Sequence, residues 1–319
     1  MSAPTTEAGD IPQDLLGRGY MCRTPALGKT WEQLRREIPQ DLHAQLVDTC
    51  FILLKPDLLA AGKHDLFWKQ LRAAQVEPLV AWACLSSGLR EFEELYKFNL
   101  TVNNDQCMLS SWWLHNRPYQ MGPVVCLLVR VPGDVRGALS ACDFIAERKG
   151  PSNPFRAAAG QWRHDMVSTN MALNLIHTSD DPMSSVREFR VFGTADHLHR
   201  ALQRSQKMAD GAAVEDICET VREEYVTAVE LSGYPRHDLD LVSTLIRIKL
   251  RIALVSDSGI WLSSDIAEKF LALLRSGGTA RQRWDEYQSL CAAEAEGHRT
   301  DSAPDILKRL ARTSEYTPE

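Results

Sequence analysis

Between residues 49 and 193 the chain alternates four short apolar runs with stretches of helical periodicity, and this alternation confines it to a layered fold of helices on a sheet. Residues 49–54, Thr-Cys-Phe-Ile-Leu-Leu, run into Lys55-Pro56-Asp57, where the proline stops a strand from continuing. A helical pattern follows at 64–74, a second apolar run at 76–84 and an amphipathic helical pattern at 87–98. Gly122-Pro123 introduces 124–131, rich in Val and Leu, and 133–145 reads as a helix with Asp134 in its first turn. The fourth run, 173–176, ends on His177, and 183–191 closes the unit as a helix. The order is that of a split β-α-β unit. The predicted class is α+β: a ferredoxin-like antiparallel sheet with helices on one face, plus an all-α C-terminal domain.

The chain has 319 residues, and domains of about 100–200 residues make two compact bodies the expectation. Residues 1–45 read as an N-terminal arm with a short helix. Residues 1–27 lack periodicity and are expected to be mobile or loosely docked, whereas Trp31, Leu34, Ile38, Leu42 and Leu46 recur at helical spacing. Residues 46–193 make the α/β unit. From 194 to 319 the strand signal disappears, and helical patterns at 195–208, 213–231, 239–255, 264–275 and 279–293 predict a helical domain, separate or wrapped around the first.

Apolar residues make up 44% and charged residues 24% of the chain, the balance of a folded globular protein. The net charge is −6 with Lys and Arg scattered, which excludes the basic footprint of a nucleic-acid binder. A nucleotide needs only a few placed cations and is not excluded. No stretch approaches about 20 apolar residues and the N-terminus lacks signal-peptide order, so no membrane partner and a cytoplasmic location are expected. The eight cysteines match no zinc or disulfide framework and read as buried thiols of a reduced compartment. His115, His164, His197 and His199 lack ligand spacing, so no protein-held metal is expected.

The segment with most chemistry runs from Asn174 to Glu188. It sets an imidazole, His177, at a strand end, hydroxyl and carboxylate groups just after it, and Glu188 a turn and a half into the next helix. A neutral imidazole attacks phosphorus well only when an acceptor on its other nitrogen holds one tautomer, and Glu188 can be that acceptor. Phosphoryl transfer otherwise demands positioning and cations around the equatorial oxygens, for which Lys55 and Arg163 are the candidates.

Four ordered motifs carry a family resemblance: Phe51-Ile52-Leu53-Leu54-Lys55-Pro56-Asp57, Gly122-Pro123-Val124-Val125, Gly150-Pro151-Ser152-Asn153-Pro154, and Asn174-Leu175-Ile176-His177-Thr178-Ser179-Asp180 with Glu188 eleven residues after the histidine. In this order they resemble the nucleoside diphosphate kinases over roughly residues 46–193. The resemblance implies that His177 forms a phosphohistidine oriented by Glu188 and Ser179. It implies that Lys55, Tyr96 and Arg163 approach the transferred phosphoryl, that Ser152 contacts an outer phosphate, and that Asn174 binds the sugar hydroxyl. Trp112, Trp113 or Tyr119 would stack on the base, Trp112 being the first choice, and magnesium would ride in with ATP. The chain departs from the pattern at Ala146, where the family places a phosphate-binding arginine; Arg148 and Lys149 lie close enough to replace it if the helix end is shifted.

The function these readings imply is transfer of the terminal phosphoryl of ATP through His177 to a nucleoside diphosphate or related acceptor, by a possible homo-oligomer. Two alternatives stand beside it. One is a catalytically weak nucleotide-binding module with a helical protein-interaction domain. The other is a phosphotransferase acting on a specialised metabolite.

Overall fold

The structure, a computed structural model, describes residues 11–17, 19–85, 88–103, 115, 119, 123–153, 156–168 and 173–233. Trp112, Trp113 and the expected helices beyond residue 233 lie outside the described residues. The described chain begins with short 3-10 turns at Gln13–Leu15 and Tyr20–Arg23 and then α1, Ala26–Glu37. A 3-10 segment, Gln40–Asp48, leads into β1, Thr49–Leu54, followed by α2, Pro56–Ala60, α3, His64–Ala73, β2, Glu77–Cys84, and α4, Leu89–Thr101. The remaining elements are β3, Val124–Arg130, α5, Gly133–Arg136, α6, Ala141–Lys149, α7, Trp162–Asp165, β4, Ile176–Thr178, α8, Pro182–Phe192, α9, Ala195–Ala209, and α10, Val214–Leu231.

The four strands form one antiparallel sheet in the order β2-β3-β1-β4. The expected helices on one face are corrected, because both faces are covered. Cys50, Ile52 and Leu54 of β1 pack with Phe67 and Leu71 of α3, Cys142 of α6 and Tyr225 of α10. The alternate residues Phe51 and Leu53 pack with Leu34 of α1, Phe92 of α4, Phe189 of α8 and Leu202 of α9. Every residue of β1 is therefore buried, which is why its sequence is an unbroken apolar run instead of an alternation.

Three further expectations change. The arm is not loose from residue 11 on: Ile11, Leu15 and Met21 are buried in the second core, and Gly19 N–H donates to Asp181 Oδ2 at 2.7 Å. A Cβ on Gly19 would lie 2.0 Å from that carboxylate oxygen, so the glycine is what permits the approach. The helix expected from Trp31 to Leu46 stops at Glu37, since Pro39 forces Ile38 into extended backbone (φ −121°, ψ 131°). The single helix expected at 133–145 is two, α5 and α6, separated at Gly137 with φ +62°.

The expected boundary at 194 is not a packing boundary for the two helices that follow it. α9 and α10 cover the two faces of the sheet beside β2 and also seal its outer edge. Glu224 Oε2 accepts the Ala81 N–H at 3.2 Å, and Arg204 donates to the Leu79 carbonyl at 2.7 Å, beside the bulge between Pro78 and Val80. Arg204 and Glu224 pair with each other at 2.8 Å. Among the described residues no helix is long and apolar enough to cross a membrane.

Candidate functional site

The opposite edge of the sheet is β4, three residues long, and a cleft of about 170 Å3 opens there. Because neighbouring strand residues face opposite sides, this short edge lets groups from both layers meet. His177 pairs with Leu53 and lies on the side of α4 and α8, while Thr178 pairs with Ile52 and lies on the side of α6. The expected strand at 173–176 thus starts later, at Ile176, and His177 is its middle residue.

The delay has a backbone cause. Leu175 has φ +72°, and the Ile176 N–H donates to the Asn174 carbonyl at 2.9 Å, which is a γ-turn of the strained hand. Such a conformation costs on the order of 1–3 kcal/mol and persists only where its surroundings over-determine it. Asp57 Oδ2 accepts the Leu175 N–H at 2.8 Å, and the Lys55 N–H donates to the Leu175 carbonyl at 2.9 Å. Arg163 holds the flanks: it donates to the carbonyls of Asn174 at 3.2 Å, Ile176 at 2.9 Å and Gly150 at 3.0 Å.

His177 Nε2 lies 2.7 Å from Glu188 Oε2, and the Ser179 hydroxyl donates to the same oxygen at 2.7 Å. Burial would raise the Glu188 carboxyl, but the His177 ring, Arg187 and the Ser179 hydroxyl outweigh it and hold the group below its usual range. Ionised, Glu188 only accepts, so in the neutral ring Nε2 carries the proton and Nδ1 keeps its lone pair. Nδ1 faces the Tyr96 hydroxyl at 3.4 Å, and that hydroxyl meets Tyr119 Oη at 3.1 Å. Burial pushes the Tyr96 phenol up to about 12, so it is a neutral hydrogen-bonding group near pH 7.

Lys55, Lys149 and Arg163 all line the cleft. Lys55 Nζ donates to Asn174 Oδ1 at 3.0 Å, and Asn174 Nδ2 reaches the Ser152 carbonyl at 3.4 Å, so Asn174 links the lysine to the exposed Ser152 loop. Arg163 is 3% exposed and spends three N–H groups on backbone carbonyls, so it braces the turn as well as facing the cleft. Sequence reasoning missed Phe92, Asn99, Thr178, Asp180 and His115 as lining residues, and Arg187, which donates to Glu188 Oε1 at 3.3 Å. Only the position of Thr178 and Asp180 beside His177 could have suggested two of them.

Burial is the main reason that Lys55 and Lys149 both fall to about 8 from the ordinary 10.5. Asp57 opposes the fall at Lys55 and Arg163 adds to it; at Lys149 Arg163 adds to it, and Asp180, Cys50 and Glu188 oppose it. Between about 8 and 10.5 the unfolded chain binds more protons than the folded one at these two groups, so they add stability as pH rises through that window. The cleft meanwhile loses positive charge. Calorimetric titration with pyrophosphate is expected to show affinity falling from pH 7 to pH 9 without a parallel fall in melting temperature caused by these lysines. Equal affinity at both pH values would remove them from an anion site.

No protein-family model matches the chain, and no curated protein matches its sequence. Solved structures similar to part of it include the nucleoside diphosphate kinase of Encephalitozoon cuniculi, 17% identical over 46% of this chain and 88% of that one, with a TM-score of 0.37. The nucleoside diphosphate kinase of Aquifex aeolicus is 18% identical over 46% of this chain and 95% of that one, with a TM-score of 0.38. The NDP kinase of Pyrobaculum aerophilum is 17% identical over 47% of this chain and 97% of that one, with a TM-score of 0.37.

Proposed function

We propose that the cleft passes a phosphoryl group from a nucleoside triphosphate, through Nδ1 of His177, to a nucleoside diphosphate or related acceptor. The observation that carries this reading is an imidazole with Nε2 held 2.7 Å from a carboxylate and Nδ1 turned to a cleft lined by Lys55, Lys149 and Arg163. The Nδ1 lone pair forms a bond to the terminal phosphorus while the bond to the bridging oxygen breaks, and that electron pair leaves on the nucleoside diphosphate. The ring then carries both the phosphoryl group and the Nε2 proton, and Glu188 balances its positive charge. An acceptor oxygen reverses the step.

The carboxylates suit a magnesium ion carried by the nucleotide. Glu188 has one oxygen on His177 and Ser179 and the other on Arg187, which leaves Asp180 as the exposed carboxylate of the cleft. Among the described residues no group of three or more His, Cys, Asp or Glu could hold a metal. When bound, the ion would neutralise phosphate charge, and Asp180, which lines the cleft, would be the carboxylate to meet it.

Incubation with ATP radiolabelled at the γ-phosphate is expected to leave one acid-labile, alkali-stable label on the protein, lost in His177→Ala with the circular dichroism spectrum unchanged. The alternative of a binding module without turnover draws on Ala146, which puts a methyl where the family resemblance places a cation. It predicts ADP binding with no label at all.

A further inference from the structure

We propose that Lys149, steered by Thr178, is the cation that replaces the missing arginine at 146 and contacts the phosphates that the bound nucleotide keeps. This rests on the phosphotransfer reading above and assigns a residue to it.

Lys149 is the last residue of α6. Positions three apart on a helix share a face, offset by about 60° around the axis and about 4.5 Å along it. A cation at 149 thus serves the face of 146 from nearly one turn further on, toward the cleft. Gly150 follows with φ +82° and ends the helix, and a Cβ there would lie 2.7 Å from Gln161 Oε1. The neighbouring cation is spent elsewhere: the Arg148 guanidinium lies over the Phe144 ring, 5.0 Å from its centroid, and the residue is exposed.

Lys149 Nζ donates to Thr178 Oγ1 at 2.6 Å. That partner is a neutral hydroxyl, so the bond aims the ammonium without cancelling its charge, and two of its three N–H groups are left for a ligand. Thr178 is 1% exposed and is the residue after His177, so the tether ties the charge to the strand that carries the nucleophile. The chain has threonine where the family motif reads glycine, and alanine where it reads arginine. The hydroxyl and the lysine form a matched pair across the two departures.

The test compares wild type, Lys149→Gln, Lys149→Arg, Thr178→Val and the double variant Ala146→Arg/Lys149→Gln. Two quantities are read: the initial rate of label transfer from ATP, and the Kd for ADP by calorimetry. The expected results are a rate about 10²-fold lower in Lys149→Gln, a rate within tenfold of wild type in Lys149→Arg, and at least tenfold recovery in the double variant. Thr178→Val should lose activity without losing the charge. Full activity in Lys149→Gln, or a double variant no better than the single one, overturns the proposal. If wild type takes no label, the phosphotransfer reading fails by itself, and the ADP arm decides: a Kd at least tenfold weaker in Lys149→Gln keeps Lys149 as a phosphate contact, and an unchanged Kd removes it.

Discussion

Replacing Glu188 by glutamine is expected to slow label transfer from ATP by about 10³-fold or more, the scale seen when an orienting acid next to a reactive imidazole becomes an amide. Two donors, His177 Nε2 and the Ser179 hydroxyl, converge on one carboxylate oxygen at 2.7 Å each, and Arg187 approaches the other. Glutamine offers a single acceptor oxygen. If the amide nitrogen takes the place of Oε2, its N–H₂ faces Nε2 and drives the ring proton to Nδ1, where the nucleophilic lone pair should be. If the amide oxygen takes that place, it serves both His177 and Ser179, and the amide donors face Arg187 and repel it. Either way the imidazole loses its tautomer or its clamp, and the charge on the phosphohistidine is no longer balanced. The fold should pay far less, since the isostere keeps the packing; the urea midpoint should move by the equivalent of about 1–3 kcal/mol. A variant that takes label at close to the wild-type rate would show that Glu188 does not orient the ring.

Arg163→Ala is expected to be the most damaging single change to stability around the cleft, costing about 3–5 kcal/mol against a total of about 5–15 kcal/mol for a typical domain. The guanidinium satisfies three buried carbonyls, on Gly150, Asn174 and Ile176, and two of these flank the strained Leu175. Without it the turn has fewer restraints against relaxing, and relaxation would move His177. Lysine should not rescue the loss, because one ammonium cannot span three acceptors held by a planar fork. Equilibrium unfolding in denaturant checks this. An Arg163→Ala protein as stable as wild type, but with turnover lost, would instead make Arg163 purely a phosphate contact.

Much of the fold was legible because a buried strand has a plain sequence signature. The runs 49–54, 76–84 and 124–131 each contain or match a strand, and the eleven-residue spacing from His177 to Glu188 did bring the two side chains together. Helical periodicity says that a face is buried but not against which side of a sheet, so the second layer formed by α1, α4, α8 and α9 could not be seen. The apolar spacing from Trp31 to Leu46 continues across Pro39, so periodicity alone does not register the break that the proline makes. The role of Arg163 left no trace, since its partners are backbone carbonyls, which every residue has. Lys149 was legible only as a nearby charge; where it points depends on the helix ending at Gly150 and on the hydroxyl of Thr178.

The seal on β2 has a consequence in time. Glu224 follows Ala81 by 143 residues and Arg204 follows Leu79 by 125. At about 5–20 residues per second of synthesis, the strand emerges roughly 6–30 s before the side chains that cap it. During that interval a nascent chain carries an open strand edge, able to pair with another nascent chain on the same message. Ribosome spacing and elongation speed through residues 85–230 therefore bear on the yield of folded protein, and slowing translation within that stretch lengthens the exposure.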